Sequence, residues 1–337
     1  MTTLSIQTIQ QALAEIIQPF SDPRIHHCQI AATGQDASVC TLSGSVLDAE
    51  TLTAVLDALA ARFPDVTFET KGIRILRQPH ARWLTVNTNV TSVNARPDLT
   101  AERMTQVMGG WRVELLQEEN GWAYIRQQDG YLGWVYRGHL KDAPAPDPTH
   151  LLCAPVSLLH ASADASSPVT GRMTAGELTT PLERADGWAR VAGGWLPASH
   201  LRPLDAPPAE PETRRRQMVV DALQFLGVPY LWGGCTGFGI DCSGFVRRLY
   251  QLSGLALPRD ADMQFRAGRA VYPPFRPGDL LFFGNEGSAR AITHVGMSLG
   301  GWRMIHSSLS RNGVYIDDVQ QTPHLRQSFV AARAFIP

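Results

Sequence analysis

The last third of the chain is organised around one stretch, Pro229-Tyr-Leu-Trp-Gly-Gly-Cys-Thr-Gly-Phe-Gly-Ile-Asp-Cys-Ser-Gly-Phe245. Its glycines let the backbone turn sharply and approach other groups closely, as a catalytic loop requires. The amphipathic segment Phe245-Val-Arg-Arg-Leu-Tyr-Gln-Leu252 follows and predicts a helix that begins near Cys242. The unpaired N–H groups and the dipole at a helix start stabilise a thiolate, so we expect a lowered pKa for Cys242.

Two histidines downstream of this loop complete a candidate nucleophilic site. His294 lies in an apolar run that predicts a buried strand, and His306 follows beyond the turn Gly300-Gly301. In such a hairpin, inward-facing side chains meet by cross-strand pairing. A thiol attacks an amide as the thiolate and needs a base. We therefore predict Cys242 as nucleophile, His294 as base and then acid, and His306 as the residue that orients the imidazole.

Length and composition restrict the class of protein. The 337 residues suit two to four domains, and 44% hydrophobic with 18% charged residues is typical of a globular protein. The net charge of −1 gives no reason to expect a nucleic-acid partner, and no apolar run is long enough to predict a membrane span. The first ten residues lack the features of a secretory signal, so we expect a cytoplasmic protein. A periplasmic or secreted protein is the alternative if a leader has been removed.

The cysteines and the metal-binding motifs of the sequence indicate whether to expect disulfides, a zinc site or a cofactor. The chain has five scattered cysteines, an odd number that argues against a disulfide framework. It contains neither a CxxC nor an HExxH motif, so we expect no zinc site and no cofactor.

Residues 1–78 predict a small α+β unit. Apolar residues recur at helical spacing up to Pro19, and a second helix is expected from Asp48, as N-cap, to Pro64. Short strands are expected at Ser38–Leu42, Val66–Thr70 and Ile73–Leu76. This unit carries no recognisable chemistry, and we interpret it as a structural appendage.

Residues 80–204 contain a degenerate internal repeat. The motif Asn120-Gly-Trp returns as Asp186-Gly-Trp, and Gly133-Trp returns as Gly194-Trp, with five fewer residues between the paired motifs in the second copy. Short strands separated by Gly, Asn and Asp turns predict one small β-barrel per copy, at 80–142 and 150–204. The extra residues of the first copy, near Gln127–Tyr131, predict a hairpin tip that the second copy lacks.

Residues 213–337 predict a last domain, which a proline-rich linker separates from the second repeat. A helix is expected at Thr213–Leu226, followed by the glycine loop and the Cys242 helix. Strands are then expected at Asp279–Phe283, His294–Leu299, Arg303–His306 and Phe329–Phe335. Helices ahead of consecutive strands indicate an α+β domain with an antiparallel sheet.

The motifs of this domain resemble those of the NlpC/P60 cysteine peptidases. The matching segments are Pro-Tyr-x-Trp-Gly-Gly, Asp-Cys-Ser-Gly-Phe-Val, Leu257-Pro-Arg-Asp260, Pro277-Gly-Asp-Leu-Leu-Phe-Phe283, His-Val-Gly and Ile-His-Ser. The two repeats resemble bacterial SH3 domains. The resemblance implies a multi-domain protein in which an N-terminal α+β unit and two SH3-like small β-barrels precede an α+β, papain-like catalytic domain.

This arrangement is similar to the γ-D-glutamyl-L-diamino acid endopeptidases that recycle murein peptides. Those relatives cut between D-Glu and the diamino acid and require a free N-terminal L-Ala. Two segments resemble the relatives' substrate-contacting segments, Glu102-Arg-Met-Thr-Gln106 and Asp129-Gly-Tyr-Leu-Gly-Trp134. The resemblance implies that Glu102 and Tyr131 contact the substrate. A carboxylate at Glu102 together with Asp241 would pair with the α-ammonium group.

Three further positions follow from the same resemblance. Tyr230 and Ser243, together with Asp241, are expected to contact the substrate backbone or the oxyanion. Ala261 stands where relatives often carry Ser, so one substrate hydrogen bond is expected to be missing or replaced by water.

Three functions are consistent with these patterns. The first is hydrolysis of L-Ala-γ-D-Glu-diamino acid peptides through a thioester acyl-enzyme. The second is an amidase or acyl transferase on the same fold. The third is a wall-binding module without catalysis, in which the SH3-like repeats hold glycan or peptide.

Overall fold

The computed structural model describes residues 5–36, 38–142, 147–284 and 291–337. The chain divides into two compact units. The first comprises Met1–Leu84 and Arg112–Arg137, and the second comprises Thr85–Trp111 and Gly138–Pro337. Within the described ranges, no helix is both long and apolar enough to cross a membrane. All five cysteines are free thiols.

The N-terminal part of the first unit is a three-stranded sheet with two helices. Its elements are α1 (Ile6–Ile16), β1 (Cys28–Asp36), β2 (Val39–Val46), α2 (Ala49–Arg62) and β3 (Thr67–Ile75). Strand β2 lies in the centre, antiparallel to β1 and parallel to β3. Asp48 caps α2 by accepting a hydrogen bond from the Thr51 backbone N–H, as the sequence predicts.

The strand predictions for this sheet need correction. Strand β3 runs continuously through Thr67–Ile75, whereas two separate strands were expected. A bulge absorbs the polar residues between Glu69 and Gly72, and pairing with β2 continues on both sides of it. The sequence does not predict β1, because its Gln, Thr, Gly and Asp residues interrupt any apolar alternation.

The strands of the first Gly-Trp copy fall in both units. They are β4 (Arg82–Val86), β5 (Val90–Asn94), β6 (Arg103–Met108), β7 (Arg112–Glu119), β8 (Trp122–Arg126), β9 (Leu132–Tyr136) and β10 (Leu140–Lys141). In the first unit β7, β8 and β9 form an antiparallel meander. In the second unit β5 pairs with β6, and β10 pairs with the end of β4. The unit boundary thus falls inside the range 80–142, and the predicted barrel boundaries stay predictions.

The two Gly-Trp copies share one local structure. Asn120-Gly121 precedes β8 and Asp186-Gly187 precedes the matching strand of the second copy, with φ values of 48° and 82° in the first pair and 47° and 82° in the second. Two consecutive residues with positive φ form the tight turn that joins antiparallel strands, which favours Asn or Asp followed by Gly. The hairpin tip between β8 and β9 is present in the first copy, where the Gln127 N–H donates to the Tyr131 carbonyl.

The second copy forms two small antiparallel sheets in the second unit. Its strands are β11 (His150–Leu152), β12 (Val156–His160), β13 (Val169–Thr174), β14 (Leu178–Thr179), β15 (Glu183–Ala185), β16 (Trp188–Val191), β17 (Gly194–Pro197) and β18 (Leu201–Pro203). The sheet orders are β14-β11-β18 and β13-β12-β17-β16-β15. Buried side chains of both sheets share one apolar core. Short 3-10 turns lie at Gln18–Phe20, Arg137–His139 and Ala198–His200.

The C-terminal part of the second unit has helices on one six-stranded antiparallel sheet. Its elements are α3 (Pro211–Gln224), β19 (Cys235–Thr236), β20 (Gly239–Ile240), α4 (Cys242–Leu252), α5 (Ala261–Ala267), β21 (Arg269–Val271), β22 (Leu280–Phe283), β23 (His294–Gly300), β24 (Arg303–Ser308), β25 (Gly313–Asp318), α6 (Pro323–Ser328) and β26 (Phe329–Ala334). The order in the sheet is β21-β26-β22-β23-β24-β25.

The amphipathic pattern after Cys242 places α4 against the centre of this sheet. Phe245 and Leu249 of α4 are fully buried in one core with Val295 of β23 and Ile305 of β24. The antiparallel sheet and its four expected strands are confirmed within about two residues. The helix expected at Thr213–Leu226 begins two residues earlier, because Pro211 suits the first turn of a helix. Strand β25 is missing from the sequence prediction, and it carries part of the site.

Candidate active site

Cys242 is the first residue of α4, as the sequence predicts. Asp241 caps this helix, since its Oδ1 accepts a 2.6 Å hydrogen bond from the Gly244 N–H. A side chain at position 244 would collide with the backbone oxygen of Gly234, so glycine is required where the loop approaches the helix. Tyr230 pairs through its backbone with Ile240, two residues before the cysteine. The loop therefore holds the Cys242 thiol at a helix start.

The prediction of a lowered pKa for this thiol is wrong. Burial, and then the Asp241 carboxylate, raise the pKa of Cys242 to about 12, although backbone hydrogen bonds at Val295 and Ser243 act in the opposite direction. Only 9% of Cys242 is exposed, so the loss of water outweighs the helix terminus. The resting site consequently holds a neutral thiol that must lose its proton to a base during attack.

The two histidines meet across the β23–β24 hairpin. His294 Nε2 lies 2.7 Å from His306 Nδ1. The register pairs Met297 with Ile305, which sets the two histidines diagonally rather than directly opposite each other. A Cβ atom on Gly296 would collide with the Met304 thioether and lie 2.9 Å from the His306 Cβ, so the bare glycine leaves room for both side chains.

Burial, and then the neighbouring imidazoles of His306 and His324, lower the pKa of His294 to about 3. A histidine with this pKa is neutral at neutral pH. The next residue, Val295, contributes the backbone hydrogen bond to Cys242. The neutral imidazole therefore belongs to the residue directly before the backbone group that bonds to the thiol, and it is in the state that a general base needs.

A carboxylate extends this arrangement beyond His306. His306 is 2% exposed, and its Nε2 lies 2.9 Å from Asp317 Oδ2. Arg311 Nη1 donates to the other oxygen, Asp317 Oδ1, at 2.7 Å. The His306 hydrogen bond, and then the Arg311 guanidinium, lower the pKa of Asp317. Sequence reasoning missed Asp317 because β25 was missed. The turn residue Asn312 and the alternation of Val314 and Ile316 were the available signal.

Both oxygens of Asp241 are already occupied. Oδ2 accepts hydrogen bonds from the Gly233 N–H at 2.9 Å and from Arg259 Nη2 at 2.6 Å. Oδ1 accepts from Gly244 and from Arg259 Nη1. Ser243 is likewise enclosed, with its Oγ accepting a 2.8 Å bond from Arg259 Nη1. Both residues are 6% exposed. Their geometry favours a supporting role beneath the nucleophile over the substrate contacts expected from the sequence.

Strand β6 of the first repeat copy contacts the catalytic loop directly. Arg259 Nε donates to Thr105 Oγ1 at 2.7 Å, and the Cys235 N–H donates to Gln106 Oε1 at 2.9 Å. Arg259 is 1% exposed, which makes it one of the largest fully buried side chains among the described residues. The sequence offers the Pro-Arg-Asp motif but nothing that connects it to Asp241 or to β6. Arg259 is therefore a residue that sequence reasoning missed.

Glu102 lies beside the same loop, just before β6. Its Oε1 accepts a 3.0 Å hydrogen bond from the indole N–H of Trp232, and 57% of Trp232 is exposed. Glu102 itself is exposed. The structure thus brings one expected substrate residue next to the Pro-Tyr-Leu-Trp-Gly-Gly segment, with an exposed carboxylate.

Three other residues, Tyr230, Tyr131 and Ala261, were expected to affect substrate binding. Burial, and then the neighbouring Cys242 and Asp241 side chains, raise the pKa of Tyr230. Tyr131 is buried in the first compact unit, at the β8–β9 tip, and its substrate contact stays a prediction. Ala261 is the first residue of α5 and is buried. Its methyl group cannot donate the hydrogen bond expected of a serine.

Two family models match the chain. Residues 227–334 match the NlpC/P60 family, and residues 89–141 match the bacterial SH3 domain. The gamma-D-glutamyl-L-lysine dipeptidyl-peptidase of Bacillus subtilis (strain 168) is 29% identical over 243 residues, which cover 68% of this chain and 81% of the relative. Dipeptidyl-peptidase 6 of Lysinibacillus sphaericus is 29% identical over 262 residues, which cover 71% of this chain and 92% of the relative.

A solved structure shares the fold. The crystal structure of an NlpC/P60 family protein from Bacillus cereus ATCC 10987 superposes with a TM-score of 0.64 at 23% identity, and the match covers 76% of this chain and all of that one. The matched ranges enclose Cys242, His294 and His306 in one region and Glu102 in the other. The chain is therefore a protein with an NlpC/P60 domain preceded by a bacterial SH3 domain.

Proposed function

We propose that this protein is a cysteine peptidase that hydrolyses the γ-D-Glu–diamino acid bond of murein stem peptides with a free N-terminal L-Ala. The observation that carries the proposal is the 2.7 Å contact between His294 and His306 in the domain where Cys242 begins α4. The names of the relatives, gamma-D-glutamyl-L-lysine dipeptidyl-peptidase and dipeptidyl-peptidase 6, support this substrate class. We further propose a role in cytoplasmic recycling of cell-wall peptides and a papain-like fold for the catalytic domain.

The residue chemistry accounts for hydrolysis in two steps. The Cys242 S–H bond breaks as sulfur attacks the γ-carbonyl carbon, and the proton passes to the neutral His294. The tetrahedral intermediate collapses to a thioester, and the His294 imidazolium returns the proton to the leaving amine of the diamino acid. Water then attacks the thioester and gives a proton to His294, the C–S bond breaks to release the dipeptide as its γ-carboxylic acid, and the His294 proton returns to the Cys242 sulfur. Tyr230, whose backbone pairs with Ile240 just before the nucleophile, is the proposed donor to the oxyanion.

Selection of a free N-terminus is assigned to Glu102. Its carboxylate is exposed and accepts from the Trp232 N–H through Oε1, and we assign the α-ammonium group to the other oxygen, Oε2. A charge-assisted hydrogen bond of this kind is worth about 1.5–3 kcal/mol. Asp241 is not proposed for this role, because Arg259 and two backbone N–H groups occupy its oxygens. Tyr131 stays a proposed contact of the same peptide.

The test is a substrate panel. L-Ala-γ-D-Glu-meso-diaminopimelate should release the dipeptide L-Ala-D-Glu, detected by mass spectrometry, and Cys242→Ala should release none. Peptides that carry Lys at the third position, or an acetylated N-terminus, test the two ends of the substrate separately. Equal cleavage of the acetylated peptide would refute the assignment of Glu102.

Two outcomes would replace the proposal. Transfer of the dipeptidyl group to an added amine or alcohol, in preference to water, would identify an acyl transferase. Retention on purified sacculi by both wild type and Cys242→Ala, with no cleavage of any peptide in the panel, would identify a binding module.

A further inference from the structure

The hydrogen-bonded line of side chains that starts at His294 continues past His306 to two further residues. Asp317 lies on β25, the edge strand of the sheet, and Arg311 lies in the turn before that strand. The separations along the line are 2.7 Å, 2.9 Å and 2.7 Å. The Arg311 guanidinium also lies 4.1 Å above the centre of the Tyr315 ring, which holds it in place. The line therefore has a defined, charged end.

The chemistry at that end fixes where the protons are. An ionised carboxylate accepts hydrogen bonds and cannot donate them, so His306 Nε2 must carry the proton that faces Asp317. In a neutral His306, Nδ1 then has a lone pair and must accept. His294 Nε2 must therefore be the donor across the 2.7 Å contact. The remaining nitrogen of His294, Nδ1, is left without a proton, and this is the state a base needs.

The opposite placement of protons on the two histidines would leave His294 unable to act as the base. If the group at position 317 donated a proton, His306 Nε2 would accept it and Nδ1 would carry the hydrogen. His294 Nε2 would then accept, and His294 Nδ1 would bear the proton. The same failure follows if His306 holds two protons. An imidazole protonated on Nδ1 cannot remove a proton from a thiol through that nitrogen.

We propose that Asp317 is a positioning residue that sets the tautomer of both histidines and so leaves His294 Nδ1 free to act as the base. Arg311 keeps Asp317 ionised through the bond to Oδ1. The inference rests on the proposed function for its kinetic readout but not for its spectroscopic one.

Asp317→Asn is the decisive variant, because the amide is isosteric and can donate through its nitrogen. The wild type is expected to show both histidines protonated at Nε2 in long-range ¹H–¹⁵N spectra of the histidine-labelled full chain. Asp317→Asn should populate the Nδ1–H form in both rings. Resonances are assigned by their loss in His306→Gln and His294→Gln. Asp318→Asn is the matched control, since Asp318 is the adjacent carboxylate on β25 and its Oδ1 accepts from the turn backbone N–H groups of Gln320 and Gln321.

The kinetic arm uses the peptide substrate. Asp317→Asn should lower kcat by about 100-fold, the lower range for loss of general acid–base catalysis, with KM changed little. Asp318→Asn should keep the wild-type kcat and tautomers. An unchanged tautomer pattern in Asp317→Asn would overturn the inference, and so would a kcat loss matched by Asp318→Asn or explained by a collapsed Tm. If no peptide is cleaved but the tautomers shift as expected, the proposed function fails and the positioning role of Asp317 stands.

Discussion

Arg259 gives the sharpest test of how the catalytic loop is held together. Its side chain is 1% exposed and bonds to both oxygens of Asp241, to Ser243 and to Thr105. Arg259→Met fills similar volume but leaves the Asp241 carboxylate buried without a cation. Breaking a buried ion pair from one side costs about 3–5 kcal/mol, because the remaining charge is uncompensated. We expect the free energy of unfolding of the second unit to fall by this amount.

Urea unfolding followed by tryptophan fluorescence measures the change, and a second ion pair provides the control. Arg266 of α5 bonds to Asp262 at 3.0 Å, but its side chain is 62% exposed. Arg266→Met should therefore change the free energy of unfolding by no more than about 0.5 kcal/mol. Both variants remove an arginine from an ion pair of similar length. A larger loss of stability in Arg259→Met than in Arg266→Met would therefore be caused by the burial of the first pair.

A double variant shows whether the stability loss in Arg259→Met comes from the uncompensated Asp241 carboxylate. Asp241→Asn removes the buried charge while its side-chain oxygen keeps an acceptor for the Gly244 N–H. If the cost of Arg259→Met comes from the uncompensated carboxylate, Arg259→Met with Asp241→Asn should be more stable than Arg259→Met alone. A double variant that is less stable than the single one, or a single variant that loses less than about 1 kcal/mol, would refute the reasoning.

Three further predictions concern activity. Gly296→Ala should lower kcat at least about tenfold, because its Cβ would press on His306; wild-type kcat in a folded variant would show that the space is not needed. Since the pKa of His294 is about 3 and that of Cys242 about 12, both groups are neutral between these values, and kcat/KM should fall only well below pH 6.5. An acid limb near 6.5 would contradict the neutral pair. Glu102→Gln should raise KM about 10- to 100-fold for the free-amine peptide but not for its acetylated form, and an equal change for both would argue against ammonium binding.

Local patterns predicted the elements that bear the nucleophile and the two histidines. The helix at Cys242 follows from a glycine loop before an amphipathic segment, and the hairpin follows from two apolar runs around Gly300-Gly301. Hydrophobic periodicity and turn residues depend on a few neighbouring positions, so the sequence alone is enough to recognise them. Strand β25 has the same kind of signal after Asn312 but is short and half-polar. It was missed, and Asp317 with it.

The sequence by itself determined the residue types, their order and the local elements that carry them, because these depend on neighbours along the chain. Only the tertiary structure decided which groups share a hydrogen bond. The diagonal offset that joins His294 to His306, the capture of Asp241 by Arg259 and the burial that raises the pKa of Cys242 all arise from residues distant in sequence. These contacts favour a supporting role for Asp241, and burial raises the pKa of Cys242, where a lowered one was expected. Desolvation and partner occupancy depend on packing between elements, which no local pattern records.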